Sequence, residues 1–390
     1  MRRIRGGMDL VNRYAAALSL HPLAFEAVGE VAGGVIEQFD GERPDLVVFF
    51  ASAQHVGTFE DVAAGLRKLL EPEVLVGCTA VAVAGGSTEV ENGPGLSVFA
   101  ARFGAGRVTG VALDAIQTDD GVSISGWPDE LPTHGTLLML ADPYSFPMPD
   151  FLRLCNAQVP ELAVMGGMAS AAAGPGGNRI VLDDRVMTSG AVAVMCSEDV
   201  PIRAVVSQGC RPIGKPLTIT RGERNLAHEL AGQPAMDRLQ EIVQAASDDD
   251  RQLMRDGLHV GLVVDEHRLD FQRGDFLVRN LLGVDQTTGS LAINEQVDVG
   301  QTVQFQVRDA DAADEDLRCL LAGVSGAGVL LFTCNGRGTH LFPTPDHDAS
   351  VVEELLGSVP LAGAFCAGEI GPVGGRNFLH GFTASVAVFG

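Results

Sequence analysis

The chain has 390 residues, of which 46% are hydrophobic and 20% charged, and it carries a formal net charge of −23. This composition excludes a disordered chain and leaves room for two domains with full hydrophobic cores. Because an acidic surface repels phosphate groups, the charge argues against nucleic acid and anionic membranes as partners.

The N-terminal segment begins with arginines but contains no long apolar core, and no run in the chain has the roughly 18 apolar residues of a membrane span. The stretch "MDLVNRYAAALS" (8–19) predicts the first helix, within a helical lead-in over residues 1–34. The seven cysteines are widely spaced and include no C-x-x-C pair, which favours a reducing compartment over a disulfide framework or a zinc site. We expect a cytoplasmic protein without membrane insertion.

One pattern occurs three times along the chain: a buried strand, a helix, a second strand that ends at a glycine, a glycine-rich loop and more strand. Its first strands start in "DLVVFF", "LLMLAD" and "VLLFTC". Leu46 to Gly77, Leu137 to Gly166 and Val329 to Gly363 are 31, 29 and 34 residues apart. The pattern predicts an α+β fold of strand-helix-strand units, in which helices cover large sheets with internal pseudo-symmetry. Whether the copies share one sheet stays open.

A region of different character separates the second and third copies. It predicts a hairpin around Gly222, a helix with Pro234 in its first turn, a helix N-cap at Ser247, and two strands joined at Thr288 and Gly289. The best boundary lies between Val200 and Gly222, which gives one domain over 35–205 with two copies and another over 222–390 with the third. Lys215, in this boundary, and Lys68 are the chain's two lysines.

The C-terminal half carries a recognisable combination of motifs: "TRGERNLAHELAGQPAMDRL", "FLVRNLLGVDQTTGSLAI", "LLFTCNGRGTHLF", "GEIGPVGG" and "LHGFTASVAVF". Together they resemble the FIST family, whose members pair an N-terminal with a C-terminal FIST domain. The resemblance is strong over about 225–390 and moderate over about 35–200. It implies a sensory module for small ligands, amino acids among them, of the kind usually attached to signalling output domains.

The chain departs from the family pattern in two respects. The first copy keeps Gly77, Cys78 and Thr79 but has Ala82 and Val83 where the family tends to have Gly and Glu. The third copy keeps this pair as Gly368 and Glu369, so we expect a polar site there. From its length of 390 residues, we also expect no attached output domain. We therefore expect the signal to pass to an unidentified protein partner by contact.

Two loops of the third copy supply the candidate ligand-binding residues. Glu369 follows a strand of small residues, where its carboxylate would accept a ligand amine, act as a base, or lock the loop by accepting backbone N–H groups. In "CNGRG", Asn335 and Arg337 follow a buried strand, at the edge where sheets present ligands, and Arg337 would bind a carboxylate through paired hydrogen bonds. The structural alternative is an ion pair between Arg337 and Glu369.

Other polar residues are weaker candidates. Cys334 and Cys366 end equivalent strands and are expected to lie near each other, with packing favoured over metal binding. His380 is predicted to be a hydrogen-bonded structural histidine, and Arg279 interrupts an apolar strand near a polar cavity or sheet edge. No nucleotide-binding, serine-hydrolase or zinc-protease motif is present, so we expect no cofactor and no metal, and assign no catalytic residue.

Three functions remain open from the sequence. The leading one is a sensor whose ligand is a small amino acid or carboxylate, bound by Asn335, Arg337 and Glu369. The second is an enzyme, for instance a hydrolase, that uses Glu369 with Cys334 or Cys366. The third is a structural interaction protein.

Overall fold

The computed structural model describes residues 11–118, 121–128, 133–268 and 270–390. In chain order, the elements before the central insertion are β1 Arg13–Ser19, α1 Ala24–Gln38, β2 Leu46–Ser52, α2 Phe59–Leu70, β3 Val74–Ala80, β4 Val83–Gly85, β5 Thr88–Val90, β6 Leu96–Arg102, β7 Val108–Thr118, β8 Gly121–Ser125, β9 Gly135–Ala141, α3 Met148–Gln158, β10 Leu162–Met168, β11 Ile180–Leu182, β12 Arg185–Met187, β13 Ala191–Cys196 and β14 Ile202–Gln208.

The central insertion contains β15 Cys210–Glu223, β16 Leu226–Leu230, β17 Gln233–Pro234, α4 Ala235–Ala245, α5 Asp248–Asp256, β18 Leu258–Val263, β19 Phe276–Asp285, β20 Ser290–Ile293, β21 Thr302–Arg308 and α6 Ala310–Leu321. The third copy follows as β22 Gly328–Cys334, α7 His347–Leu356, β23 Leu361–Cys366, β24 Glu369–Val373, β25 Arg376–His380 and β26 Thr383–Phe389. Short 3-10 helices cover Ala53–Thr58, Arg273–Asp275 and Gly338–His340.

The chain forms two compact units. Unit 1 consists of the described residues up to Val206, with Leu320–Leu379 and Ala384–Gly390. Unit 2 consists of Ser207–Cys319 and His380–Thr383. The chain thus leaves unit 1 at Val206, and the third copy belongs to the same unit as the first two.

The three copies in unit 1 have the same strand topology, each in its own sheet. The first strand of each copy (β2, β9, β22) pairs in parallel with its second strand (β3, β10, β23) and antiparallel with its return strand (β6, β13, β26). A further strand (β1, β7, β14) pairs with the other side of each return strand, and β8 extends the second sheet beyond β7. The predicted α+β fold with an internal repeat is therefore confirmed, and the copies do not share a sheet.

Each copy gives a hairpin to the sheet of another copy. The hairpin after the second strand pairs antiparallel with a neighbour: β4–β5 of the first copy with β23, β11–β12 of the second with β3, and β24–β25 of the third with β10. We call these the exchanged hairpins. The exchange is cyclic, because the first copy gives to the third, the second to the first and the third to the second.

The sheets of the first two copies each lie between two cores, which explains why their strands are apolar on both faces. In β2, Val48 and Phe50 join a core that all three sheets share, whereas Val47 and Phe49 alternate with them and pack under α1 and α2. In the second copy, α3 covers the outer face in the same way. The second strands continue two or three residues beyond the glycines at which the sequence pattern ends them.

The helical prediction for residues 8–19 is wrong over its described part. Arg13–Ser19 form β1, an edge strand paired with β6, and the helix begins only at Ala24. Residues 8–10 lie outside the described residues. The alanine-rich sequence favours a helix locally, but pairing with β6 and burial of Tyr14 and Ala15 outweigh that propensity.

Unit 2 is a closed antiparallel sheet with helices against it. Its strand order is β15-β21-β18-β19-β20-β16-β17, and an additional pairing between β15 and β16 closes the sheet into a barrel. Ser247 caps α5 as predicted, because its hydroxyl oxygen accepts the Asp250 N–H.

Candidate functional site

The loop after β22 sends Arg337 into the protein. Asn335 is exposed, while Arg337, two residues later, is completely buried. The Arg337 N–H donates to the Cys334 carbonyl at 2.9 Å, which closes a tight turn. Gly338 follows with φ +55°, and a Cβ there would lie 2.7 Å from the Glu91 carboxylate. Glycine is therefore required where this loop passes close to Glu91.

The partner of Arg337 is Asp348, in the first turn of α7. Arg337 Nε and Nη2 donate to the two Asp348 oxygens, each at 2.7 Å, and both side chains are 1% exposed. Thr333 Oγ1 also donates to Asp348 at 2.6 Å. The expected alternative, a pair between Arg337 and Glu369, is thus replaced by a bidentate pair with an aspartate that the sequence analysis did not select.

An exchanged hairpin closes the other side of this ion pair. Glu89, in β5 of the first copy, accepts the Ala349 N–H at the start of α7 at 3.0 Å. Its own N–H donates to Asp346 at 2.5 Å. Residues Glu89, Thr333, Arg337 and Asp348 form what we call the buried charged cluster, assembled from the first and third copies.

The pKa values of the two carboxyl groups in the cluster are shifted in opposite directions. Burial alone would raise the pKa of Asp348, but the Arg337 guanidinium and its hydrogen bonds hold that pKa well below its ordinary value. For Glu89, burial and the neighbouring Asp348 carboxylate raise the pKa to about 8. At neutral pH the cluster therefore holds one ionised and one largely protonated carboxyl group.

Two buried polar atoms of the cluster have no hydrogen-bond partner among the described residues: Arg337 Nη1 and Glu89 Oε2. The guanidinium carbon of Arg337 lies 5.1 Å from the centre of the Phe342 ring, which also stacks on His347. The cluster thus has one guanidinium donor and one carboxyl oxygen left over for a further group.

An exposed contact holds the loop over the cluster. The Glu91 carboxylate, from the first copy, accepts the Thr339 N–H at 2.9 Å and the Thr339 hydroxyl at 2.8 Å. We call this contact the Glu91 strap. It joins the segment after exchanged hairpin β4–β5 to the loop that carries Asn335 and Arg337.

The remaining third-copy candidates lie at the end of the shared core. Cys334 and Cys366 are opposite each other in the parallel pair β22–β23. Glu369 is completely buried and lies opposite Gly167 of β10, and the Gly368 carbonyl accepts the Met168 N–H. Burial, with a smaller contribution from Glu369, raises the pKa of the Cys366 thiol well above its ordinary value. This keeps the thiol protonated and disfavours it as a nucleophile.

Two predicted residues belong to unit 2. Arg279 lies on β19, where its Nε donates to Glu295 at 3.0 Å and its Nη1 to the Val278 carbonyl. His380 is 5% exposed at the end of β25. The other candidates (Cys334, Asn335, Arg337, Cys366, Gly368 and Glu369) are in unit 1.

The charged cluster is specific to the third copy. Three residues after the end of the first strand, the copies carry His55, Tyr144 and Arg337. His55 is buried with its pKa lowered by burial, and Tyr144 is half exposed. In the second copy, a carboxylate after the first strand, Asp142, is bound by Asn178 and Ser145 instead of an arginine. The repeat therefore maintains the fold while the polar chemistry differs between copies.

Comparison with protein families matches this chain to the FIST N domain over residues 45–233 and to the FIST C domain over residues 235–372. The chain belongs to the FIST family. FIST domains are associated with sensory signalling, which agrees with the resemblance of the C-terminal motifs.

Full-length relatives support this assignment. The chain is 44% identical over 385 residues to protein Mb0898c of Mycobacterium bovis and to protein MT0897 of Mycobacterium tuberculosis, covering 97% of this chain and 98% of each relative. It is 43% identical over 383 residues to protein Rv0628c of Mycobacterium tuberculosis, covering 97% and 99%. The names of these relatives assign them no ligand or reaction.

Within the described residues, no helix has the length and apolarity needed to cross a bilayer. The same part of the chain contains no group of three or more His, Cys, Asp and Glu side chains placed to hold a metal ion.

Proposed function

We propose that this FIST protein is a sensory module for a small ligand that carries a carboxylate and an amine, and that the ligand binds at the third copy. The observation that carries the proposal is a pair of buried atoms in the charged cluster, Arg337 Nη1 and Glu89 Oε2, which no described residue hydrogen-bonds. A ligand carboxylate would accept from Arg337 Nη1, and a ligand ammonium group would donate to Glu89, whose carboxyl group would release its proton to solvent on binding.

The exposed side of the loop gives the ligand its first contacts. Asn335 is exposed and can both donate and accept hydrogen bonds. Cys334, Cys366, Gly368 and Glu369 line the adjacent end of the shared core in this proposal. Arg279 and His380 are not used, because they belong to unit 2.

Binding at the cluster would require the Glu91 strap to open, because Thr339 lies on the loop that covers Arg337. A ligand that binds only the open loop shifts the population toward that state. The exposed strap would then change shape, and a protein partner could detect the change. In this proposal, the coupling links a buried ligand to an exposed contact that a protein partner could bind.

The test is calorimetry and thermal unfolding of the purified protein with amino acids and small carboxylates. A ligand at about one hundred times its Kd should stabilise a two-state fold by about 2.7 kcal/mol. Glu89→Gln and Asn335→Ala should both weaken binding, whereas Glu73→Gln, at an exposed glutamate of the first copy, should not. Absence of binding by every compound, or full binding by both Glu89→Gln and Asn335→Ala, would overturn the proposal.

The strap gives a second readout. If the ligand binds the open loop, Glu91→Gln weakens the closed state and should increase ligand affinity severalfold. A ligand that binds equally well to Glu91→Gln and the original protein would contradict the coupling while leaving the binding site itself standing.

A further inference from the structure

A groove of about 420 Å³ lies in unit 2, between β15 and α4. Its apolar walls are Ile213 and Leu217 from the strand side, and Ile242, Ala245 and Ala246 from the helix side. This volume is within the range of about 300–1,000 Å³ typical of small-molecule sites.

A bulge in β15 opens the groove. Ile213 pairs with Phe305, and Leu217 pairs with Val303. The chain therefore advances four residues along β15 while it advances only two along β21. The two extra residues leave the ladder, and Gly214 takes φ +69° within the bulge. A Cβ on Gly214 would lie 3.1 Å from Ile242, which shows how closely the bulge approaches α4.

Helix α4 packs incompletely on the barrel beside this bulge. Ala235 is its one fully buried residue, and Leu239, Ile242 and Ala246 contact the core while staying partly exposed. The groove therefore exposes part of the apolar face of α4 and of the barrel core.

The groove carries one unneutralised charge among the residues that line it. Arg238 and Glu241 pair at 2.8 Å, and Asp250 pairs with Arg211 at 2.5 Å. Lys215, exposed on the bulge, makes no ion pair within the described parts of the chain. A single positive group thus lies over an apolar surface in a protein whose net charge is −23.

We propose that this groove binds an amphiphilic monoanion, a straight-chain carboxylate whose headgroup contacts the Lys215 ammonium while its hydrocarbon chain lies between Leu217 and Ile242. A lysine presents a compact point charge to such a headgroup. The lining residues include no aromatic ring that would stack on a nucleobase. The inference goes beyond the proposed sensory site and does not depend on it, because every lining residue belongs to unit 2.

Isothermal titration calorimetry of the full-length protein with decanoate tests this site. We expect one saturable site for decanoate, with 1-decanol bound at least about tenfold more weakly because it lacks the charge. Lys215→Met, which keeps the apolar stem, should reduce decanoate affinity by about the same factor. Lys68→Met removes the other lysine of the chain, on α2 in unit 1, and should leave affinity unchanged.

A second variant tests the apolar half. Ala246→Phe adds a ring at the helix end of the groove and should abolish binding of both compounds, with circular dichroism and thermal unfolding used to verify the fold. The proposal would be overturned if the original protein did not bind decanoate. It would also be overturned if Lys215→Met and Ala246→Phe both bound decanoate as tightly as the original protein does. Amino-acid binding is measured separately, so failure of one site does not imply failure of the other.

Discussion

At the scale of single residues, Asp348 is the group on which the buried ion pair depends. Asp348→Asn keeps the size of the side chain but leaves the Arg337 guanidinium buried without a counter-charge. We expect it to lower the free energy of unfolding by about 3–5 kcal/mol, measured by urea denaturation at pH 7.

The matched control is Asp150→Asn, which removes an ion pair with Arg153 on the surface of α3. Exposed pairs contribute little, so this variant should lie within about 0.5 kcal/mol of the original protein. Equal stability of the two variants would show that Asp348 does not neutralise Arg337 in solution.

Glu89 makes a separate prediction about pH. Its pKa in the folded state, about 8, is above that of an unfolded glutamate, so the folded state binds more protons between the two values. The free energy of unfolding should therefore fall as pH rises from about 5 to 8, by at most about 1.4 kcal/mol per pH unit from this group.

Glu89→Gln should remove this dependence. The measurement is the difference in the free energy of unfolding between the original protein and Glu89→Gln, followed from pH 5 to pH 9. The difference isolates Glu89 from groups with the opposite slope, such as His259, whose pKa burial lowers to about 4. A constant difference across this range would mean that Glu89 titrates at its ordinary pKa.

Local motifs indicated part of the cluster but not its partners. The glycine-flanked position of Arg337 after a buried strand identified it from sequence, as the spacing of the copies identified Cys334, Cys366 and Glu369. Asp348 was missed because an aspartate in the first turn of a helix ordinarily faces solvent and the helix dipole. Glu89 was missed because it lies 248 residues before Arg337 and reaches it only through an exchanged hairpin. In "TEVE", Glu89 lies between a threonine and a valine, with a second glutamate two residues later, so its sequence neighbours give no signal of burial.

At the scale of elements, Asn377 attaches an exchanged hairpin to its new sheet. From β25 of the third copy, its side chain accepts the Val164 N–H at 2.8 Å and donates to the Leu162 carbonyl at 2.9 Å. Asn377→Ala leaves both buried groups of β10 without these bonds, and we expect a loss of about 2–4 kcal/mol in urea denaturation.

The exposed Asn92, in a bend of the first copy, provides the control. Asn92→Ala should change stability by no more than about 0.5 kcal/mol. A similarly small effect of Asn377→Ala would indicate that this hairpin is held by its backbone pairing alone.

Elements with a clear periodic pattern in their own sequence could be predicted. Strands that depend on pairing with distant parts of the chain could not. The amphipathic spacing of "FEDVAAGLRKLL" gave α2 with the bounds that the structure has. Strand β1 was taken for a helix because its alanine-rich sequence lacks a strand pattern. The exchanged hairpins have strands as short as three residues, and their partners lie in other copies, so neither periodicity nor turn residues indicate where they pair.

At the scale of the whole molecule, the cyclic exchange should make unit 1 unfold as one body. No copy has a complete sheet without a strand from another, so opening one sheet releases a strand from the next. In native-state hydrogen exchange, Asn377→Ala should therefore reduce the protection of β2, β9 and β22 by similar amounts. Loss of protection limited to β10, β24 and β25 would instead show three independent layers.

The exchanged hairpins also set the order in which the chain can fold on the ribosome. The sheet of the first copy is complete once β12 has emerged, but β4 must wait for β23, whose first residue comes 276 residues after Gly85. At about 5–20 residues per second, that interval lasts roughly tens of seconds. During synthesis the hairpin edge and its apolar residues stay uncovered, so we expect the nascent chain to bind chaperones until its last strands are made. Any prematurely terminated product would lack a strand for at least one earlier sheet, which makes it a substrate for proteolysis.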